Sequence, residues 1–131
     1  MSFLQSIMTL IVIGLRRGID VRYVVDIDGT ICVPGDTDET RYTGATPIPE
    51  RIEKINQLYD EGHYITYLTA RGMGRTGNNV DQSVRFFYEL TADQLKEWGC
   101  KYHLLRLGKP SGDYYIDDKG VNSDDFFNGQ K

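Results

Sequence analysis

Asp26 and Asp28 stand one residue apart in Asp26-Ile27-Asp28-Gly29-Thr30, directly behind the apolar run Tyr23-Val24-Val25. Two carboxylates at the end of a strand, followed by a glycine turn, make a compact reactive site. One can attack a phosphorus centre while the other handles the proton, a covalent route through an aspartyl-phosphate that is open to carboxylates. The first side chain and the backbone carbonyl of the second aspartate can share one hard metal ion, of the kind that takes oxygen ligands.

The elements that must position these groups can be read from pattern. Arg22 to Asp26 is short, β-branched and bounded by glycine, the signature of a buried strand. Gly29 to Thr46 is rich in Gly, Asp, Thr and Pro and reads as loop or small hairpin. Ile48, Ile52, Ile55, Leu58 and Tyr59 recur at helical spacing behind Pro47 and Pro49, and Gly62 stops that helix. His63 to Leu68 is a second strand, feeding a loop over Thr69 to Asn78. Val80, Val84 and Phe87 then share a helix face, with Trp98, Phe86 and Tyr88 also expected in the core. Thr91-x-x-Gln94 resembles a capping box that restarts a helix, which Gly99 ends. Tyr102 to Leu107 is a third strand, Tyr114 to Ile116 a fourth, and Ser123 to Phe127 a last helical turn. Strands alternating with helices predict an α/β fold, a mostly parallel sheet covered on both faces. In open sheets of this kind ligands bind beyond the carboxyl ends of the strands. Asp26, Asp28, Thr69 and Asp117 all fall there.

Bulk properties narrow the options. The chain of 131 residues has room for one core. Its 40% hydrophobic and 26% charged content fits an ordinary globular protein. A net charge of −4, with no Lys/Arg stripe, offers no electrostatic footprint for nucleic acid. Cys32 and Cys100 match no zinc spacing and read as a reduced pair, in keeping with a cytoplasmic protein. Residues 1–20 read as an N-terminal extension ahead of a domain spanning 21–131. Their apolar stretch Ile7 to Leu15 falls short of the ~20 residues a bilayer span needs, so no stable membrane insertion is expected.

In this order the motifs resemble those of the haloacid dehalogenase superfamily of phosphatases. Val24-Val25-Asp26-Ile27-Asp28-Gly29-Thr30 is similar to the first motif, and Tyr64-Ile65-Thr66-Tyr67-Leu68-Thr69 to the second. Lys109 in Leu107-Gly108-Lys109-Pro110 corresponds to the third, and Tyr115-Ile116-Asp117-Asp118 to the fourth. The wording Thr69-Ala70-Arg71-Gly72 with Gly108-Lys109-Pro110 resembles short capless members associated with bacterial surface-polysaccharide biosynthesis. The resemblance implies a three-layer Rossmann-like core without a cap domain. Only roughly 18 residues separate Thr30 from the first helix, too few for a folded cap.

The same resemblance implies roles. Asp26 would be the nucleophile and Asp28 the general acid and base. Two carboxylates so close cannot both ionise freely, so one is expected to hold its proton. Mg²⁺ would be held by Asp26, Asp28 through its carbonyl, and Asp117, with Asp118 as an outer or alternative ligand. Thr69 would hydrogen-bond a phosphate oxygen and Lys109 would neutralise charge on the phosphate and Asp26. Gly29, Thr30 and Arg71 are expected to touch substrate, with Arg41, Tyr42 and Arg75 nearby. His63 and His103 read as structural. The implied substrate is a small sugar, polyol or amino-sugar phosphate, in a site open to water unless a second copy of the chain closes it. Rival readings are a polynucleotide 3′-phosphatase, which the missing basic groove disfavours, and a non-catalytic phosphate-binding or receiver-like module. A receiver carries its acidic pair first and its phospho-acceptor mid-chain, the reverse of the order here.

Overall fold

The computed structural model describes residues 21–129; the N-terminal extension expected over 1–20 lies outside them. The elements in chain order are β1 (Arg22–Val25), β2 (Cys32–Val33), β3 (Thr46–Pro47), α1 (Pro49–Asp60) and β4 (Tyr64–Thr69). There follow α2 (Val80–Glu97), β5 (Leu104–Leu107) and α3 (Ser123–Phe127). β1, β4 and β5 form a parallel sheet in that order, with Val25 beside Tyr67 and Tyr67 beside Leu105. β2 and β3 pair antiparallel, closing the small hairpin that the loop composition predicts.

The sheet has one buried face. Alternation along β4 buries Ile65, Tyr67 and Thr69 while Tyr64, Thr66 and Leu68 stay partly open, and on β1 Val24 is 65% exposed beside buried Val25. The strand order runs steadily in one direction, and parallel crossovers are right-handed, so α1 and α2 must fall on the same side of the sheet. The core agrees: Ile52 and Ile55 of α1 and Leu95 of α2 join Val25, Ile65 and Tyr67 in one cluster. Each such fully buried aliphatic side chain contributes on the order of 2 kcal/mol. Among the described residues the fold is therefore α/β with two layers, not the three that alternation predicts.

Three other expectations are corrected. α2 runs unbroken through Thr91, so Thr91-x-x-Gln94 is no helix start. Its inward stripe is Ser83, Phe87, Thr91 and Leu95, at four-residue spacing, while Val80, Val84, Phe86 and Tyr88 are exposed. Tyr114 to Ile116 is not a strand: Tyr114 is 87% and Ile116 95% exposed, and Tyr115 folds its hydroxyl back to the Pro110 carbonyl (2.6 Å). Three residues offer a ladder few hydrogen bonds, and this local turn competes with them.

The remaining elements fall close to their expected places. α1 opens with Pro49 at its first turn, as fixed φ allows. α3 is capped by the Asn122 side chain, and its Asp124 reaches Arg51 of α1 at 2.7 Å. His103 accepts the Ile65 N–H through Nδ1 and lies between Tyr59 and Tyr64, a structural role. Cys32 and Cys100 are both free thiols.

Candidate active site

The carboxyl ends of β1 and β4, the turn after β5 and the loop before β3 meet around a cavity of about 730 Å³. Asp26, Asp28, Thr69, Arg71 and Lys109 all line it. Asp26 sits just past β1 and is part-exposed. Its Oδ1 accepts from Lys109 Nζ at 3.3 Å and its Oδ2 from Thr30 Oγ1 at 3.0 Å. Lys109 is brought there by its backbone, whose N–H donates to the Thr69 carbonyl (3.2 Å), while its ammonium lies 4.4 Å from the Tyr115 ring centroid. Thr69 is buried, and its hydroxyl oxygen accepts the Arg71 N–H at 3.1 Å. The hydroxyl hydrogen is left to donate to a ligand.

Asp28 faces a different partner. Arg71 donates Nε to Oδ2 at 2.9 Å and a terminal nitrogen to Oδ1 at 3.0 Å, a two-bond fork of the strong, charge-assisted kind. The arginine is 1% exposed. Burying that charge is tolerable because Asp28 balances it and Nη1 donates further to Gln94 Oε1 (2.7 Å) and Thr91 Oγ1 (3.3 Å). The Tyr42 ring covers the guanidinium at 5.0 Å. Each of the two neighbouring carboxylates thus has its own cation, Lys109 for Asp26 and Arg71 for Asp28.

The loop that follows β4 makes this burial feasible. Gly72 has φ +79°, and a Cβ there would meet the Phe87 ring at 2.4 Å, so only glycine lets the chain turn so close to α2. Ser83 Oγ donates to the Arg71 carbonyl from the same helix. Tyr42 fastens the opposite loop: its hydroxyl accepts the Gly72 N–H (2.9 Å), its carbonyl accepts from Gln94 (2.6 Å), and its ring meets Phe87 edge-on.

Cys32 lies beneath Asp28, with Sγ 3.5 Å from Oδ1. Burial first, and the Asp28 charge second, push its thiol up to about 12. Burial likewise raises Cys100, to about 11.

Several expected site residues are placed elsewhere. Gly29 donates its N–H to the Cys32 carbonyl, and neither Gly29 nor Thr30 lines the cavity; Thr30 holds Asp26 instead. Arg71 lines the cavity as expected, with four of its five guanidinium N–H donors spent on Asp28, Thr91 and Gln94. Asp117 and Asp118 are exposed and outside the cavity. Asp117 Oδ1 accepts the N–H groups of Lys119 (2.8 Å) and Gly120 (2.6 Å), which lower its pKa, and Asp118 faces Lys119. Among the described residues no three His, Cys, Asp or Glu side chains converge as a metal group. As arranged, the expected Mg²⁺ ligands are not gathered: the Asp26 carboxylate is paired with Lys109, and Asp117 and Asp118 stand outside the cavity.

Sequence reasoning missed Thr91, Gln94 and Ser83 as parts of the site. The signal was present: polar residues recur on the stripe that also carries Phe87 and Leu95, and a polar residue on a buried stripe needs a polar partner.

No family model matches the chain, and no curated protein matches it. Its fold is similar to a crystal structure of a protein from Vibrio cholerae known by a target designation. The TM-score is 0.74 at 26% identity, over 82% of this chain and 87% of that one. That likeness supports the α/β class and its mainly parallel sheet.

Proposed function

We propose that this protein is a phosphomonoester hydrolase of the haloacid dehalogenase type, acting through phospho-Asp26. The observation that carries the reading is the Asp26 carboxylate, held at a strand's carboxyl end between Lys109 and Thr30 and open to a cavity that Thr69 also lines. An Asp26 oxygen bonds to phosphorus as the bond from phosphorus to the ester oxygen breaks. The electron pair leaves with that oxygen, which takes a proton and departs as the alcohol. Water then attacks the same phosphorus, gives up a proton, and releases inorganic phosphate with the Asp26 carboxylate restored.

Phosphoryl transfer is governed by positioning and charge. Lys109 offsets negative charge shared between Asp26 and the phosphoryl oxygens, and the Thr69 hydroxyl donates to one of them. Asp28 is the proton carrier in this reading. Both of its oxygens accept from Arg71, which fixes the carboxyl plane at the cavity wall. The resemblance also implies Mg²⁺, for which the present arrangement does not assemble a ligand set, and no step above runs through it. The substrate class that the resemblance favours is a small sugar, polyol or amino-sugar phosphate.

The test is phosphate release from p-nitrophenyl phosphate and a sugar-phosphate panel, with Mg²⁺ or with EDTA, for wild type and Asp26→Asn. Turnover that Asp26→Asn abolishes is the expected result. A folded protein inert towards every phosphomonoester would sink the reading, while turnover undiminished by EDTA would remove only the Mg²⁺ expectation.

A further inference from the structure

The cavity's charges divide into an inner set and a rim. Inside, Asp26 is matched by Lys109 and Asp28 by Arg71. Exposed residues of the lining add two guanidinium groups, Arg41 and Arg75, and a single carboxylate, Asp38. The surplus of the cavity is therefore positive, and it sits at the rim of a chain whose net charge is −4. Among the described residues neither Arg41 nor Arg75 forms an ion pair. Arg75 donates to the Asp38 backbone carbonyl, a neutral acceptor that leaves the charge uncompensated.

Arg75 is also fixed in place. Its guanidinium lies 5.0 Å from the centroid of Tyr42 and 5.7 Å from that of Phe87. Tyr42 is itself anchored by Gly72, Gln94 and Phe87, so it sets where Arg75 lies, and its chain neighbour Arg41 lines the same cavity. A planar cation held over an aromatic ring, with donors remaining beyond the one that reaches the Asp38 carbonyl, is preorganised for an oxyanion.

We infer that Arg41 and Arg75 form a subsite for a second anionic group on the substrate, a carboxylate or a further phosphate, held apart from the phosphate that reacts at Asp26. The inference rests on the phosphatase reading and narrows it: the substrate is a phosphomonoester carrying another negative charge, not a neutral sugar phosphate. Positive potential at a cavity mouth also gathers such substrates from solution, an effect that salt weakens.

The test uses phosphonates, whose carbon–phosphorus bond the enzyme's chemistry does not cleave, binding to the wild-type chain in Mg²⁺ buffer by calorimetry. Alkylphosphonates are compared with ω-carboxyalkyl- and ω-phosphonoalkyl-phosphonates of matched chain length, over two to five carbons. At the best length, one doubly functional series binds about tenfold tighter than its alkyl counterpart, since two exposed cations around one anion each contribute modestly. The series that gains identifies carboxylate or phosphate as the second group. Arg75→Met and Arg41→Met each shrink that ratio, and Arg75→Lys retains part of it. Equal affinity of alkyl and doubly anionic ligands at every length overturns the subsite while leaving the phosphate site standing. An Arg75→Met loss that is the same for both series overturns it as well, because the arginine would then serve the inner phosphate. If no phosphonate binds at all, the phosphatase reading falls and the subsite with it.

Discussion

The end of β1 and the stretch Tyr114 to Asp118 carry the same kind of sequence, an apolar run closing on aspartates, yet the fold treats them in opposite ways. β1 pairs along its length with β4, buries Val25 and delivers Asp26 and Asp28 to a cavity. Tyr114 to Asp118 pairs with no strand among the described residues, leaves Ile116 95% exposed, and spends Asp117 on its own turn. The difference lies in what each run can bury. β1 has a partner whose alternation matches its own, with Tyr23 beside Ile65 and Val25 beside Tyr67, so every second side chain reaches the core. Tyr114 and Ile116 share one face, and that face meets solvent.

Substitutions on the two sides can break or sharpen this contrast. The largest stability loss is expected for Arg71→Met, which leaves the Asp28 carboxylate in its largely buried position without a counter-charge. Breaking such a pair costs about 3–5 kcal/mol, readable as a lowered urea midpoint. Ile65→Ala, in the strand beside β1, should cost about 2–5 kcal/mol through lost burial and a residual cavity. Ile116→Ala should stay within ~0.5 kcal/mol, as surface changes do. Equal losses at the two isoleucines would mean that Tyr114 to Ile116 is packed into the sheet after all.

A smaller effect is expected from Gln94→Leu, which removes an acceptor from Arg71 and a donor from the Tyr42 carbonyl; about 1–3 kcal/mol fits a buried polar group left unpaired. Unchanged stability there would show that α2 does not support the site. The subtlest effect is pH-dependent. Cys32 is raised from 9.0 to about 12 in the fold, so the folded state favours the protonated thiol. Its contribution is whole below pH 9.0 and is lost as pH rises towards 12. Cys32→Ser should flatten that part of a stability–pH curve, and the wild-type thiol should resist alkylation at neutral pH.

Much of the frame was legible because burial leaves periodic marks. The β1 run, the isoleucines of α1 and the alternation in β4 each have a period that only one element satisfies. Gathering Asp26, Asp28 and Thr69 followed from strand ends, a rule that also pointed to Asp117, which lies outside the cavity, while Lys109 came from the motif resemblance. What escaped were choices made in three dimensions. Arg71, in a glycine-rich loop, reads as a substrate contact, and only the turn at Gly72 shows that it is buried against α2 and paired with Asp28. Thr91-x-x-Gln94 fits a capping box equally well as two inward neighbours on one continuous helix, and only the buried guanidinium decides between them. The single covered sheet face follows from strand order, which no local pattern encodes.

The central claim is that Asp26 takes the phosphoryl group. Its most direct test is an acid quench of the protein turning over a radiolabelled phosphomonoester, followed by peptide mapping. The account predicts hydroxylamine-sensitive label on the peptide containing Asp26, absent in Asp26→Asn, whose turnover should fall by ~10³-fold or more. Turnover that leaves no label on that peptide, or that survives Asp26→Asn, would contradict it.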